Sequence, residues 1–413
     1  MSKIIINGKS DGALKAYKDG SEIGAIYAGG SVVYTAMESN VEPAPPVTQP
    51  YLCFTAQEAG STVSFVKEGE VSMPVPVLYK STDGNNWTTW DGSVITLPSV
   101  NSKVYIYGNN SSFRGGQSSM ITTPTTYWHF VMSGIIAASG DITTMLDIDG
   151  VTGFSDTYTF YKMFEGCTSL TTPPELPAMG LSAYCYYDMF RGCTSLTSAP
   201  ELPATEMPRN CYQDMFYGCT SLTTPPPVLP ARNTQQYSYS GMFEACTSLT
   251  TAPVISAWSI AKHCCQNMFA RCTSLATAPV LSATTLYEYC YFQMFQGCTS
   301  LTTAPVLPAT IMANRCYSNM FYGCTSLTMA PDLRHVTSLA PYSCLQMFQG
   351  CTNLNKAYAP TVSSWDTNVF SDWLIDVAAS GTVYVKTLAM QTKVPRNSTS
   401  GCPSGWSVFL KSN

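Results

Sequence analysis

The chain has 413 residues, of which 45% are hydrophobic and only 11% are charged, and its net charge at pH 7 is -5. This length predicts more than one structural unit, and the apolar content is enough to fill a large core. The lack of any Lys/Arg cluster argues against nucleic-acid binding. No run approaches the ~18 apolar residues of a membrane span.

Residues 1–37 predict a small β-hairpin head. Tyr17–Ile23 and Tyr27–Tyr34 recur ten residues apart, with glycine at the turns and β-branched or aromatic residues between them. A unit this small needs a partner surface to be stable. The first residues lack the apolar core of a secretory signal. We therefore expect that an export signal has been removed, or that the protein reaches the exterior by another route.

Residues 38–50 (ESNVEPAPPVTQP) predict a Pro-rich linker. Residues 51–132 alternate as strands, with turn signals at Asp83-Gly84 and Asp91-Gly92, and predict a small antiparallel, Ig-like β-sandwich. Ser81–Trp87 resembles a sialidase-type Asp-box but is one residue short, which favours a plain hairpin turn. Ile142–Asp156 is expected to form the N-terminal cap of the next unit, residues 133–355.

A Met-Phe dipeptide followed by x-Gly/Ala/Arg-Cys-Thr recurs eight times, and this is the strongest pattern in the sequence. Its copies begin 26 or 27 residues apart, at Met163, Met189, Met215, Met242, Met268, Met294, Met320 and Met347. A unit of this size cannot bury its apolar face alone, so neighbouring units must stack on one continuous core. The pattern predicts a solenoid.

Two further side chains recur at fixed places in each unit and are predicted to form internal ladders. One ladder is Leu170, Leu196, Leu222, Leu249, Leu275, Leu301, Leu327 and Leu354; the other is Cys167, Cys193, Cys219, Cys246, Cys272, Cys298, Cys324 and Cys351. Adjacent coils are close enough for disulfides. Equivalent side chains point parallel rather than toward each other, which favours buried thiols.

Within one unit, Thr302–Leu307 predicts a short extended strand and Ala313–Asn319 predicts one helical or 3₁₀ turn. The predicted fold class is mainly β with short helical turns. It is a leucine-rich-repeat-like solenoid of about eight 26-residue repeats, preceded by the small β-sandwich and the hairpin head.

The repeated string GCTSLTxAPxLPAT…CYxxMF resembles the BspA-like leucine-rich repeats, from about Phe154 to Asn355. This resemblance implies a surface adhesin of gut or oral bacteria, or a protein of their phages, in which similar repeats occur. The Tyr-x-Gly-x-x-Val pattern of residues 1–37 resembles the anchoring segments of phage virion proteins.

Residues 356–413 are predicted to be a C-terminal cap. Trp365, Phe370, Trp373 and Leu374 suggest a capping helix, Thr382–Val385 suggests a strand, and the tail Gly401–Phe409 closes the end. A bare solenoid end would expose an apolar patch and invite association.

Catalytic, metal-binding and cofactor-binding patterns are not visible in the sequence, so we expect no enzyme activity. The three histidines, His129, His263 and His335, lie far apart along the chain. The string His263-Cys264-Cys265 contains soft metal ligands. However, Cys264 shares its place in the repeat with Cys185 and Cys290, which favours a core cysteine.

Positions that vary while the ladders stay fixed are expected to face solvent and could recognise a protein or glycan; a merely solvated face is the alternative. The candidate binding residues are Arg191, Arg209, Asn210, Tyr217, Tyr237, Tyr239, Trp258, Tyr287, Arg315, Tyr322 and Arg334.

Two hypotheses about function follow. The first is a phage virion fibre or decoration protein that docks on the particle through residues 1–37 and meets an unidentified host protein or glycan. The second is a bacterial BspA-like cell-surface adhesin. An enzyme-accessory carbohydrate-binding protein is a distant third. Because phage fibres are commonly trimers, the resemblance also suggests a homotrimer through the head.

Overall fold

The computed structural model describes the backbone of the strands within residues 4–35, and then residues 51–111, 113, 124–363, 365–397 and 399–411. The chain forms two compact units, Met1–Thr48 and Gln49–Asn413. The predicted linker, residues 38–50, lies outside the described residues.

The strands of the first unit are β1 (Ile4–Gly8), β2 (Leu14–Lys18), β3 (Ser21–Glu22), β4 (Ala25–Ala28) and β5 (Ser31–Thr35). Strands β1, β2 and β3 form an antiparallel sheet, and β4 pairs antiparallel with β5. The hairpins predicted within residues 1–37 are therefore present.

Two sheets begin the second unit. Their strands are β6 (Leu52–Ala56), β7 (Ser61–Glu68), β8 (Leu78–Ser81), β9 (Thr88–Trp90), β10 (Ile95–Leu97), β11 (Lys103–Gly108), β12 (Tyr127–Ser133), β13 (Ile136–Ser139) and β14 (Leu170–Thr172). The first sheet has the order β10-β7-β12, and the second has the order β14-β13-β6-β11-β8-β9. Phe130 packs on Phe65 of its own sheet at 4.8 Å and joins the two sheets through its ring contact with Phe54 at 4.9 Å.

The boundary predicted at residues 132 and 133 does not separate two units. Strand β13 pairs antiparallel with β6 and parallel with β14, which lies in the first repeat. Phe130 also stacks on Phe164 of that repeat at 5.1 Å. The sandwich and the solenoid share one core because an edge strand of the sandwich is also the first layer of the stack.

Each coil has a turn side, the segment equivalent to Tyr289–Gly297. Alternate backbone N–H groups here donate to carbonyls of the next coil, from Tyr289, Tyr291, Gln293, Phe295 and Gly297. Between these bonds the chain closes tight turns, such as Met294 N–H to the Tyr291 carbonyl. Tyr289, Gln293 and Gly297 have φ of 57°, 56° and 71°.

The helical turn predicted for Ala313–Asn319 is therefore wrong. Arg315 and Asn319 have φ of 52° and 55°, in the left-handed region. A right-handed helix would satisfy the backbone within its own coil. Here the recurring left-handed residues turn every second N–H toward the next coil instead. Helix in the described residues is confined to the 3₁₀ turn Ile142–Met145 and α1 (Leu388–Lys393).

Inside the turn side, eight phenylalanine rings stack from Phe164 to Phe348, with centroids 5.4–5.8 Å apart and interplanar angles of 3–12°. The eight repeated leucines and the eight repeated cysteines are buried beside them. Each of these thiols donates to the phenylalanine carbonyl one layer back, as from Cys298 Sγ to Phe269 O at 3.1 Å. All 17 cysteines are free and buried.

The strand side, the segment equivalent to Thr302–Leu307, is paired more sparsely. Its strands β16 (Val228–Leu229) and β18 (Val254–Ile255) pair parallel. Strands β15 (Glu206–Met207) and β17 (Asn233–Thr234) also pair parallel, but they lie in the loop that follows, equivalent to Ile311–Met312. The strand predicted at Thr302–Leu307 is reduced to a single bridge between Thr303 and Thr277. Pro305 has no N–H to donate, and seven of the eight repeats have a proline at this place, the exception being Tyr358.

The coil pattern continues past Asn355, where the predicted solenoid ended. Residues 369–375 accept the same inter-coil bonds, and Trp373 packs against the last ring of the stack, Phe348. This segment is a further turn layer rather than the predicted capping helix. Four parallel strands close the end in the order β19-β20-β21-β22: β19 (Met329–Asp332), β20 (Lys356–Tyr358), β21 (Gly381–Val385) and β22 (Trp406–Leu410). The predicted strand Thr382–Val385 is confirmed.

Candidate binding surface

On the turn side of the last five repeats, the residue five places before Met-Phe forms a column along the surface. We define the aromatic column as Tyr237, His263, Tyr289, Arg315 and Tyr342. The His263 ring stacks between Tyr237 at 4.6 Å and Tyr289 at 4.7 Å. The Arg315 guanidinium lies 5.8 Å from the Tyr289 ring and 4.4 Å from the Tyr342 ring. The coil spacing thus holds five flat groups in register.

Nearer the N-terminus, the turn side carries a charged cluster of Lys162, Asp188, Arg191, Asp214, Tyr217, Glu244 and Arg271. Arg191 lies 3.3 Å from Asp188 and stacks 3.9 Å from the centre of the Tyr217 ring. Arg271 pairs with Glu244 and donates to the Tyr217 hydroxyl at 3.1 Å. Tyr217 is therefore held between two guanidinium groups.

Two carboxyl groups of the charged cluster occupy equivalent places in neighbouring coils, and both are partly desolvated. Burial raises the pKa of Asp188 to about 7, and the nearby Asp214 adds to the rise, while Arg191 and Lys162 oppose it. Burial also raises the pKa of Asp214 to about 6, against the opposing effect of Arg191. The cluster therefore gains negative charge between pH 5 and pH 8.

The candidate binding residues named from the sequence fall into three groups. Trp258, Tyr287 and Arg209 are exposed, the first two by 60% and 50%. Half-buried positions are Arg191, Tyr217, Tyr237, Arg315, Tyr322 and Arg334. Asn210 is only 6% exposed, and Tyr239 is fully buried.

The prediction that Tyr239 is a binding residue is wrong, because its side chain is fully buried. It stacks on Tyr212 in an internal tyrosine column three places before the Met-Phe dipeptides, a place also occupied by Tyr186, Tyr291 and Tyr317. That shared place was the signal that could have excluded it. The same kind of alignment would have found His263, Tyr289 and Tyr342, whose place in the repeat matches that of Tyr237.

Trp258 and Tyr287 belong to neighbouring coils and form a loop edge between the two sides. Ser259, beside Trp258, bridges Thr285, two residues before Tyr287. Lys262 pairs with Glu288 at 2.5 Å in the same place. Ile311 lies in the next coil and is 62% exposed. The loop edge therefore offers large apolar side chains on a fixed backbone, as protein-binding surfaces do.

The strand side carries a valine stripe, defined as Val228, Val254, Val280 and Val306. These side chains are 39%, 60%, 80% and 77% exposed, although they occupy equivalent places on four successive coils. Glu201 takes this place one coil before the stripe, and Asp332 takes it one coil after.

At the C-terminal end of the stripe lies a cavity of about 430 Å³. Its lining includes Val306, Thr303, Arg334, Tyr358 and Lys411. The sequence named only Arg334 among these as a candidate. Tyr358 and Lys411 come from the irregular C-terminal region, where no repeat position points to them.

Other sequence candidates have structural roles. Cys264 and Cys265 are fully buried, while His263 belongs to the aromatic column. Among the described residues, no group of three or more His, Cys, Asp or Glu is placed to hold a metal ion. Asp83 caps the hairpin between β8 and β9 by accepting from the backbone of Asn85 and Asn86, so the Asp-box-like string is a plain turn.

The repeated coils match a known protein-family model. The family model described as "BspA type Leucine rich repeat region (6 copies)" matches residues 156–302 and 259–376, more than half of the chain. The chain belongs to the BspA-type leucine-rich repeat family. No helix in the described parts of this family member is long and apolar enough to cross a membrane.

Two solved structures are similar to this BspA-type protein. One is a leucine-rich cell surface protein from Faecalibacterium prausnitzii A2-165, with 14% identity, a TM-score of 0.27, and coverage of 72% of this chain and 92% of that chain. The other is a leucine-rich repeat protein from Bacteroides ovatus ATCC 8483, with 12% identity, a TM-score of 0.19, and coverage of 82% and 99%. No curated protein matches the sequence.

Proposed function

We propose that this chain is a non-catalytic binding protein whose solenoid presents a rigid surface, outside the cell that makes it, to a protein or glycan of a host surface. One observation carries the proposal. Large side chains such as Trp258 and Tyr287 stay exposed while the core beneath them is continuous. Exposed aromatic side chains on a rigid backbone lose little conformational entropy when they bind a partner.

The proposed location is a bacterial cell surface or a phage particle. Membership in the BspA-type family supports the cell surface, and one similar structure is named a cell surface protein. A virion fibre or decoration protein is the second candidate, favoured by the separate compact unit Met1–Thr48 with its short hairpins. In that case the hairpins would dock on the particle, and a homotrimer would form through them.

The location is tested by immunoelectron microscopy with antibodies against the full chain, applied to producing cells and to phage particles from their lysates. Label on intact cells alone favours the adhesin, and label on particles favours the virion protein. Label on neither contradicts the proposed setting. A monomer by light scattering would contradict the trimer.

Binding is tested with the labelled full chain on candidate host cells by flow cytometry. We expect the double variant Trp258→Ser, Tyr287→Ser to lose most of the bound signal. The matched control is Met179→Ser, which removes a 58% exposed apolar side chain several coils away. A wild-type signal no higher than that of an unrelated protein would contradict the proposal.

A further inference from the structure

The cavity at the C-terminal end of the valine stripe combines features that suit one class of ligand. Its lining comprises Thr302–Val306, the segment Thr328–Asp332, Arg334, His335, Tyr358 and Lys411. Met329–Asp332 (β19) and Tyr358 (β20) are fixed by the four-stranded parallel sheet that closes the solenoid, and Lys411 follows β22 with its N–H bonded to the Val385 carbonyl. The cavity is therefore preformed on rigid backbone, as small-molecule sites usually are.

The cavity has one positive charge in excess. Arg334 is neutralised by Asp332, with Nε–Oδ1 and Nη2–Oδ2 distances of 3.0 and 2.6 Å. Lys411 lies 5.6 and 5.3 Å from the rings of Tyr358 and Tyr384, and it forms no ion pair with any residue that the structure describes. Its ammonium group is thus available to a ligand anion.

Threonine hydroxyl groups also line the cavity. The side chains of Thr302, Thr303 and Thr328 make no hydrogen bond to the described part of the chain. Elsewhere, threonine hydroxyls donate to the preceding coil, as Thr299 does to the Thr273 carbonyl at 3.3 Å. The cavity hydroxyls are therefore free to bind polar groups of a ligand.

Apolar surface completes the lining. Val306 is 77% exposed and Met329 is 43% exposed. A volume of about 430 Å³ is far more than an inorganic anion would fill. A sugar ring with a carboxylate matches these three features of the lining. Its C–H face can contact Val306 and Met329, its hydroxyls can bond to the threonines, and its anion can pair with Lys411.

We infer that this cavity binds a carboxylate-bearing sugar residue, of the uronic or sialic acid type, at the end of a glycan. The inference rests on the proposed binding function and names a ligand class for it. A peptide carboxylate also carries N–H and C=O groups that can pair with the hydroxyls of Thr302, Thr303 and Thr328, so it is the competing ligand that the test must separate.

The test is calorimetric titration of the full chain with methyl glucuronide and methyl sialoside. Methyl glucoside, acetate and tri-glutamate serve as comparison ligands. We expect at least one of the two acidic sugars to bind at least tenfold more tightly than methyl glucoside, acetate or tri-glutamate. Lys411→Gln should weaken that binding at least tenfold, and Thr303→Val should weaken it severalfold.

The matched control is Lys386→Gln, which removes the same charge just after β21 but does not line the cavity. It should change affinity by less than twofold, and all variants should keep the wild-type unfolding midpoint. The inference is overturned if neither acidic sugar binds better than the glucoside, if Lys411→Gln binds as wild type, or if tri-glutamate or acetate binds equally well. Host-cell binding that persists without acidic-sugar binding would remove the sugar site and leave the proposed function standing.

Discussion

The two sides of the solenoid hold their coils together in different ways. On the turn side, five backbone hydrogen bonds join the coil of Tyr289–Gly297 to the next one, above a stack of buried phenylalanine rings. On the strand side of that coil, a single bridge joins Thr303 to Thr277, and proline removes donors from the ladder. Cohesion between coils is therefore concentrated on the turn side.

This difference separates stability from recognition. A side chain on the turn side lies on backbone that is bonded to both neighbouring coils, so its stacking partners are fixed. The strand side leaves its valine stripe and cavity open. Outside the four-stranded sheet at the C-terminal end, it contributes little pairing that a substitution could disturb. Changes in the buried turn-side layer should be costly, and changes on the strand side should cost little.

The largest effect is expected from Phe243→Ala in the middle of the ring stack. The side chain is fully buried between Phe216 and Phe269 at 5.5 Å on each side. Loss of such a ring costs about 3–5 kcal/mol through lost burial and the cavity that remains. Urea unfolding followed by tryptophan fluorescence measures it. A loss below 1 kcal/mol would contradict the assignment of the stack as the main source of cohesion.

A pH dependence is expected from the charged cluster on the turn side. The pKa of Asp188 is about 7 in the folded chain, above its usual value of 3.8, because the carboxyl is buried. The folded state therefore binds more protons than the unfolded state between those values. The free energy of unfolding should fall as pH rises from about 4 to about 8, by roughly 2–4 kcal/mol.

Asp188→Asn removes this proton-binding difference while keeping the shape of the side chain. Urea unfolding at pH 4.5 and pH 8 should show a smaller decrease for the variant than for the wild type. The remaining decrease should come partly from Asp214, whose pKa burial raises to about 6. An identical decrease in both proteins would show that Asp188 ionises normally.

The solenoid could be predicted from the sequence because each layer repeats the same buried side chains. Leu249 and Cys246 recur every 26 or 27 residues, and only a stack can bury such a pattern. The backbone of the turn side could not be predicted. The string around Tyr289 and Gln293 contains no glycine, so nothing in it signals left-handed residues, and a helical turn was the simpler interpretation.

The candidate site was predicted only in part. Trp258 and Tyr287 interrupt the repeat, and this marks them as exposed. Tyr239 is at a place where the next coil has Cys265, so the place looks variable in the sequence although both side chains are buried. The cavity joins Val306 to Lys411, which are more than 100 residues apart, and only the fold brings them together.

A smaller change in the free energy of unfolding is expected from substitutions that alter backbone strain on the turn side without altering its buried packing. Ala245 has φ of 61° at a place where most coils have glycine, such as Gly218 with φ of 71°. Since a side chain disfavours this conformation, Ala245→Gly should stabilise the chain by about 1 kcal/mol. Gly218→Ala should destabilise it by a similar amount, because alanine disfavours the φ of 71°. No steric clash adds to this cost, since no atom lies within 4 Å of the added methyl group. If the urea midpoints of the two variants shifted in the same direction, the left-handed backbone at this place would not be a source of strain.

The smallest effect is expected on the strand side, from Val280→Thr in the valine stripe. The side chain is 80% exposed and threonine has nearly the same shape, so the unfolding free energy should change by less than about 0.5 kcal/mol. The informative control is Val383→Thr, the same substitution at a fully buried place in β21. Burial of an unpaired hydroxyl there should cost about 1–3 kcal/mol. If Val280→Thr were as destabilising as Val383→Thr, the strand side would contribute to cohesion as much as the core does. The division of the coil into a cohesive side and an open side would then be lost.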